Sequence, residues 1–230
     1  MLFISLEGGE GAGKTTQAVR LLERIESAGL RCLRVREPGS TALGADLRRL
    51  IKRSNTSDEA LSRAAELFLF AAARSELVTK VIAPQRDDPD LVVVADRFAD
   101  STLAYQGYGR GIDIETIKAV NALATHGIAP DLTFLLDCPH EIGISRVRGL
   151  QLQMPLDAVK PSDSADRNVE GMKFEEEPAE FHERIRLGFL ALADLEPDRW
   201  RIVDATRSIN IISDEIWKAV QDRLPVTANP

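Results

Sequence analysis

The sequence predicts an α/β fold: a five-stranded parallel sheet in three layers, with helices on both faces. Three observations carry this expectation. Short runs of apolar and β-branched residues recur along the chain, near-continuous rather than alternating, which is how strands buried on both faces read. Between them lie stretches whose apolar residues fall near a 3.6-residue period. The strand candidates end in or next to acids, among them Glu7, Glu37, Asp96 and Asp137. Carboxylates therefore gather where ligands of such sheets bind, beyond the carboxyl ends of the strands.

The first strand is Leu2 to Glu7 (LFISLE), followed by helical spacing from Gln17 to Ala28 and a second strand from Arg31 to Glu37 (RCLRVRE). Helical patterns resume at Leu43 to Ile51 and over Asp58 to Ile82. The latter is apolar around much of its circumference, including Leu67 to Phe70, so it needs two covers, the sheet and something else. A third strand, Leu91 to Asp96 (LVVVAD), a helix, Ile114 to Ala124, a fourth strand, Leu132 to Asp137 (LTFLLD), and a fifth, Arg201 to Asp204 (RIVD), complete the pattern. Leu150 to Glu177 breaks it. Rich in Pro, Ser, Asp and Glu and without clear period, this segment reads as a solvated loop. Because Arg146, Arg148 and Arg167 cluster around it in an acidic chain, it also reads as a mobile lid.

A chain of 230 residues with 44% hydrophobic content suits one core, so a single domain over residues 1–230 is expected. The net charge of -7 excludes coating of nucleic acid or an anionic membrane by bulk electrostatics, and any anion must be bound locally. Cys32 and Cys138 lie in or beside apolar runs, a usage that fits a reducing cytoplasm better than a disulfide framework. No apolar run approaches the roughly 20 residues that span a bilayer, and MLFISLEGGEGAGK has no basic segment ahead of an apolar stretch. A cytoplasmic protein with no membrane or nucleic-acid partner is expected. His126, His140 and His182 are isolated and match no metal spacing, which predicts surface or capping roles.

The loop after the first strand carries the chemistry. Gly8, Gly13, Lys14 and Thr15 fit the phosphate-loop pattern G-x-x-x-x-G-K-[ST], with an apolar strand before and an amphipathic helix after. Glycines let backbone N–H groups turn inward around phosphate oxygens, and the helix N-terminus adds partial positive charge. The run Gly8, Gly9, Glu10, Gly11, Ala12, Gly13, Lys14, Thr15, Thr16 is thus the expected ATP site, with Lys14 reaching the β- and γ-phosphates and the Thr15 hydroxyl offered to Mg2+. Asp96, at a strand end beside this cradle, can organise the same ion through water, and Arg97 follows it. The cradle alone leaves three classes open: a switch GTPase, a motor or partition ATPase, and a small-molecule kinase. No Asn opens an Asn-Lys-x-Asp string, and no Lys precedes Gly8-Gly9, which argues against the guanine-reading switches and the partitioning ATPases.

The chain resembles the thymidylate kinases, which phosphorylate dTMP with ATP and adopt the P-loop nucleotide kinase fold. The resemblance rests on motifs in order: Glu7 to Gln17; Arg36-Glu37-Pro38-Gly39-Ser40-Thr41, with Ser40 where Gly is usual; Phe70-Ala71-Ala72-Ala73-Arg74; Asp96-Arg97-Phe98 with Ser101 and Ala104-Tyr105-Gln106-Gly107, Phe98 standing for a tyrosine; Pro130-Asp131-Leu132-Thr133 and Leu135 to Asp137; and Phe181-His182-Glu183-Arg184 through Ala205. It implies that Arg48 and Arg97 hold the dTMP phosphate as planar forks and that Arg74 bonds a thymine carbonyl. Phe70, which its own surroundings mark as a core aromatic, is implied to stack on the base, one helical turn from Arg74. Ser101 and Thr102 would line the thymine edge, Tyr105 would crowd the sugar 2′ position, and Glu10 would accept from the 3′-hydroxyl. Glu37, in a motif placed near the bound phosphate, joins the substrate residues; its bond to Pro38 is open to either isomer.

Some members of that family carry an arginine in the phosphate loop after its acid, where this chain has Gly11, and the others supply transition-state charge from lid arginines. The resemblance therefore favours a lid over about residues 146–175, with Arg148 and Arg167 joining Lys14, Asp96 and Arg97 as catalytic residues; Asp166-Arg167-x-x-Glu170 is the string that suggests it. A partner subunit over the Asp58 to Ile82 helix is the family-consistent second cover, giving a homodimer. The alternatives are another nucleoside monophosphate or deoxynucleoside kinase, or a P-loop ATPase switch acting on a protein partner.

Overall fold

The computed structural model describes residues 1–53, 61–153, 174 and 177–224. Five parallel strands, β1 (Leu2–Glu7), β2 (Arg31–Arg36), β3 (Leu91–Asp96), β4 (Leu132–Asp137) and β5 (Trp200–Asp204), form one sheet in the order β2-β3-β1-β4-β5. β1 is central and pairs in register with β3 from Leu2↔Val92 to Leu6↔Asp96. It pairs with β4 from Ile4↔Leu132 to Glu7↔Leu135. The registers bring Glu7, Asp96 and the end of β4 to one edge of the sheet. β2 stops at Arg36, one residue short of the sequence expectation; Glu37 N–H still donates to Asp96 O, but Pro38 has no N–H to continue the ladder, and the Glu37-Pro38 bond is cis.

The strand pleat divides the apolar residues between two covers. Ile4 and Leu6 of β1, Val92 and Val94 of β3 and Phe134 and Leu136 of β4 face one layer. That layer is built from α1 (Lys14–Ser27), through Ala18, Leu21 and Ile25, and α8 (Ile209–Gln221), through Ile212, Ile216 and Val220. Phe3, Val93 and Ala95 point the other way, against Leu77, Val78 and Ile82. On that second face lie α3 (Arg63–Leu77), α5 (Ile114–Thr125) and α7 (Ala179–Leu195), whose Phe181, Ile185, Phe189 and Leu192 recur at helical spacing. All six β3 residues are buried, as their unbroken apolar run requires.

The remaining elements refine the expectation. α2 (Ala42–Arg53) follows the second-strand motif, α4 (Ala99–Thr102) follows Asp96-Arg97, and α6 (His140–Gln153) follows β4. Residues 150–153, expected to be irregular, continue α6, while residues 154–173, with Arg167, lie outside the described residues. The long helix read from Asp58 to Ile82 begins, among the described residues, at Arg63 with Ser62 accepting from Ala65 N–H, and its last turn widens into a π-type stretch, Val78–Ile82. A second π-type stretch, Leu103–Gly109, prolongs α4 and carries Tyr105 and Gln106.

Candidate active site

The chain leaves β1 at Glu7, loops through Gly8 to Gly13 and enters α1 at Lys14. Gly13 is the N-cap and no side chain accepts a hydrogen bond there, so the positive end of α1 is left for an anion. Lys14 is buried, and its ammonium donates to the Gly8 and Gly9 carbonyls at 3.1 and 2.6 Å. Burial, and after it the Arg97 guanidinium, push its pKa down to about 8, against the pull of Glu10, Asp96 and Glu7. A cation held so reluctantly is ready for phosphate. Thr15 Oγ1 donates to Asp96 Oδ2 at 2.5 Å, which places a hydroxyl and a carboxylate side by side at the mouth of the loop.

Arg97 links this loop to what lies beyond it. Its backbone sits at φ 72, a left-handed conformation that a side chain of this size adopts only when its surroundings enforce it. Its N–H donates to Leu6 O, and its guanidinium reaches Gly8 O at 3.0 Å, Glu10 Oε1 at 2.8 Å and Tyr105 Oη at 3.0 Å. The Tyr105 hydroxyl in turn donates to Glu10 Oε1 at 3.0 Å, and its ring lies under the guanidinium at 4.9 Å. Burial works against the charge on Glu10, but Arg97 and Lys14 outweigh it and hold the carboxyl below its usual range. Beneath this cluster Glu7 accepts from Phe98 N–H at 2.7 Å and Ser101 Oγ at 2.5 Å. Its burial, with Asp100 nearby, pushes it up to about 8.

On the far side of Arg97 lies a cavity open to solvent on one side, lined among others by Glu10, Glu37, Phe70, Arg74, Tyr105 and Phe174. Arg74 is 1% exposed and nearly saturated: Nε to Glu37 at 2.8 Å, Nη1 to Asn121 at 2.7 Å, Nη2 to Thr102 at 2.9 Å and to Phe98 O at 3.3 Å. Of its five N–H groups, one on Nη1 has no partner among the described residues. Burial raises the Glu37 carboxyl above its usual range, and the Arg74 guanidinium partly offsets that. Arg48, on α2, is buried with Nη1 on the Pro38 carbonyl at 3.2 Å. Burial, then the neighbouring Arg36, push it down to about 10, the signature of cations gathered around a place for an anion.

The structure thus brings together Gly8 to Thr16, Asp96, Arg97, Ser101 and Tyr105, and beside them Glu37, Phe70, Arg74 and Thr102. Phe70 is half-buried and forms cavity wall, not the sealed core that its apolar neighbours suggested. Arg148 stands exposed on α6. Arg146, read with the lid, is anchored instead, donating to Ala205 O at 2.8 Å. The histidines also correct the expectation of isolation. His126 caps α5 at φ 51, as expected, but His140 and His182 stack at 3.9 Å, and His182 is buried against α6. Sequence reasoning missed Phe174, which packs on Tyr105 at 4.8 Å; its signal is a lone aromatic before the acids of FEEE. It also missed Asn121, a polar residue on the Ile117, Asn121, Ala124 face of α5.

With this geometry in place, comparison with known proteins is informative. The model of the thymidylate kinase family matches residues 6–216. A thymidylate kinase of Synechococcus sp. is 46% identical over 225 residues, covering 98% of this chain and 97% of the relative. One from Solidesulfovibrio magneticus is 40% identical over 219 residues, covering 95% of this chain and 98% of the relative. A crystal structure of thymidylate kinase from Ehrlichia chaffeensis superposes with a TM-score of 0.70 at 31% identity, covering 96% of this chain and 98% of that one.

Proposed function

Since the chain belongs to the thymidylate kinase family, we infer that it phosphorylates dTMP to dTDP with ATP as donor. The observation that carries this reading is the Glu10, Arg97, Tyr105 cluster, which joins the phosphate loop to a cavity lined by Phe70 and Arg74. One set of side chains can hold a donor phosphate on one side and an acceptor nucleotide on the other.

Lys14, the loop from Gly8 to Thr16 and the α1 N-terminus hold the ATP phosphates. Arg48 and Arg97 hold the phosphate of dTMP. Phe70 stacks on thymine, Arg74 gives its remaining Nη1–H to a ring carbonyl, and Glu37 fixes Arg74 in place. Ser101 and Thr102 line the base edge, Tyr105 fills the space of a 2′-hydroxyl, and Glu10 accepts from the 3′-hydroxyl. Thr15 and Asp96 offer hard oxygen donors 2.5 Å apart, of the kind magnesium takes, and would hold Mg2+. When bound, that ion supplies positive charge at the donor phosphates.

A phosphate monoester has a second pKa of about 6, so the attacking oxygen of dTMP is already ionised at neutral pH and no side chain need accept its proton. That oxygen forms a bond to the γ-phosphorus, the bond to the β–γ bridging oxygen breaks, and ADP departs. The protein's task is to align two polyanions and surround them with cations, which Lys14, Arg48 and Arg97 do, joined by Arg148 and Arg167 from the lid side. Asp96 organises the metal and does not act as a base. Two unpaired cysteines suit the cytoplasm, and among the described residues no helix is long and apolar enough to cross a membrane. A second copy of the chain over α3 completes the protein as a homodimer.

The test is ADP release with dTMP, dUMP, dCMP, AMP and thymidine in turn. Preference for dTMP is expected; preference for another acceptor would make this a different nucleotide kinase, and acceptor-independent turnover stimulated by a protein would make it an ATPase switch. Asp96→Asn is expected to lose turnover at every pH; full recovery at high pH would instead make Asp96 a base. Arg148→Ala and Arg167→Ala are expected to lower kcat by orders of magnitude without loss of fold, and near-normal turnover in both would remove the lid arginines from the mechanism.

A further inference from the structure

Two glycines far apart in sequence, Gly11 in the phosphate loop and Gly143 in the first turn of α6, meet backbone to backbone. A Cβ placed on Gly11, which sits at φ 69, would lie 2.0 Å from Gly143 O and 2.7 Å from Gly143 Cα. A Cβ placed on Gly143 would lie 2.1 Å from Glu10 O. Contacts of this length do not occur between real atoms, and both obstacles are main chain, so no rotamer change can relieve them. Farther along and at its start, α6 is tied down separately. His140 stacks on His182 of α7, and Arg146 is bonded to the carbonyls of Ala205 and Thr206. The helix therefore cannot slide away cheaply when something is inserted at Gly143.

We propose that Gly143 is a positioning residue for phosphoryl transfer: by lacking a side chain it lets α6 press on the loop backbone at Glu10 and Gly11, and this contact sets the loop's shape. The proposal rests on the reading of the loop as the ATP site. What the contact fixes is specific. The Glu10 carbonyl abuts α6 at Gly143, the Glu10 carboxylate is held by Arg97 and Tyr105, and the Gly8 and Gly9 carbonyls, just before, receive Lys14. Displacing the backbone at Glu10 would move the acceptor-side carboxylate and the donor-side lysine together. Glycine weakens a helix relative to alanine. Its place at 143 is explained by the loop it touches and not by α6 itself.

The experiment compares wild type, Gly143→Ala and Ser145→Ala, the last an exposed position two residues further along α6, for kcat, KM for ATP and KM for dTMP. A misplacement of about 1 Å at a reacting site is enough to cost on the order of 100-fold, so Gly143→Ala is expected to lose kcat on that scale, with a raised KM for ATP, at unchanged helix content. Ser145→Ala is expected to match wild type. A folded Gly143→Ala enzyme with wild-type kcat and KM values would overturn the proposal, whereas wild type failing to use dTMP would overturn the functional reading instead. A purely structural role would lower the melting temperature while leaving KM for ATP alone. Should Gly143→Ala not fold, hydrogen exchange on wild type decides. Amides 142–146 are expected to exchange more slowly once MgATP occupies the loop, and rates unmoved by MgATP would overturn the proposal.

Discussion

Lys14 stands where the sequence put it, but its electrostatics could not be read from the motif. Its ammonium is buried, lies near Arg97 and among the described residues has only carbonyl partners, so its pKa falls to about 8, while an unfolded chain holds a lysine at about 10.4. Between those values the unfolded state binds more protons, so Lys14 makes the ligand-free protein gain stability as pH rises, by at most about 1.4 kcal/mol per unit. Urea unfolding of wild type and Lys14→Met at pH 7.5 and pH 9.5 is expected to show wild type gaining on the variant, and saturating ATP, which keeps the lysine charged, should flatten that gain. Arg74 is the second residue whose role depends on surroundings. It is paired with Glu37 at 2.7 Å where both side chains are almost completely buried. Removing one partner strands the other as a buried charge, so Arg74→Ala is expected to cost about 3–5 kcal/mol in the same urea measurement. A loss below 1 kcal/mol would mean that Glu37 takes up a proton or water at little cost. The resemblance named Arg74 as a base contact, but Asn121, Thr102 and the Phe98 carbonyl, its other partners, are visible only in the folded chain.

At the scale of elements, the acceptor cavity is assembled where three segments meet. Arg110, just after the second π-type stretch, bonds Glu66 of α3 at 3.2 Å and Glu177 ahead of α7 at 2.7 Å, and its guanidinium lies over the Phe181 ring at 4.7 Å. Gln106 also donates to Glu66, at 2.8 Å. Phe174 is held in the same corner, 5.6 Å below Arg110. Arg110→Met keeps much of the contact with the rings but leaves Glu66, among the described residues, with Gln106 as its one side-chain partner, and because Arg110 is partly exposed the expected cost is about 2 kcal/mol, less than for Arg74. Thermal unfolding measures it, and a KM for dTMP raised together with the loss of stability would show that the corner shapes the cavity. None of these partners was legible, because Arg110 lies 44 residues from Glu66 in the chain and neither belongs to a periodic pattern that names the other. The elements themselves were legible wherever burial on two faces imposed an unbroken apolar run, as in β3 and β1, and less so at β5 and α6, whose patterns are shorter or more polar.

For the whole molecule, the chain carries a net charge of -7, yet Lys14, Arg48 and Arg97 are gathered at the carboxyl edge of the sheet. An acidic surface with a cationic crevice keeps binding local and discourages association with nucleic acid. Phe68 is 61% exposed in the middle of α3, on a helix whose other faces are covered. If a second copy is its cover, Phe68→Glu should convert the protein from dimer to monomer in sedimentation equilibrium at micromolar concentration, and an unchanged dimer would place the interface elsewhere. The sequence by itself determined the parallel sheet, the phosphate loop and the acids at the strand ends, since two-sided burial and phosphate geometry each impose a local pattern on consecutive residues. The tertiary structure alone decided which partners saturate Arg74, that Arg146 is anchored while Arg148 is exposed, and that Phe174 lines the cavity. It also decided what the missing charge at Gly11 means. In the sequence it pointed to distant arginines; in the fold it is first a matter of space, because α6 passes so close that no side chain fits. Contacts between residues more than 100 positions apart leave no periodic trace in a single sequence, so only the packed chain reveals them.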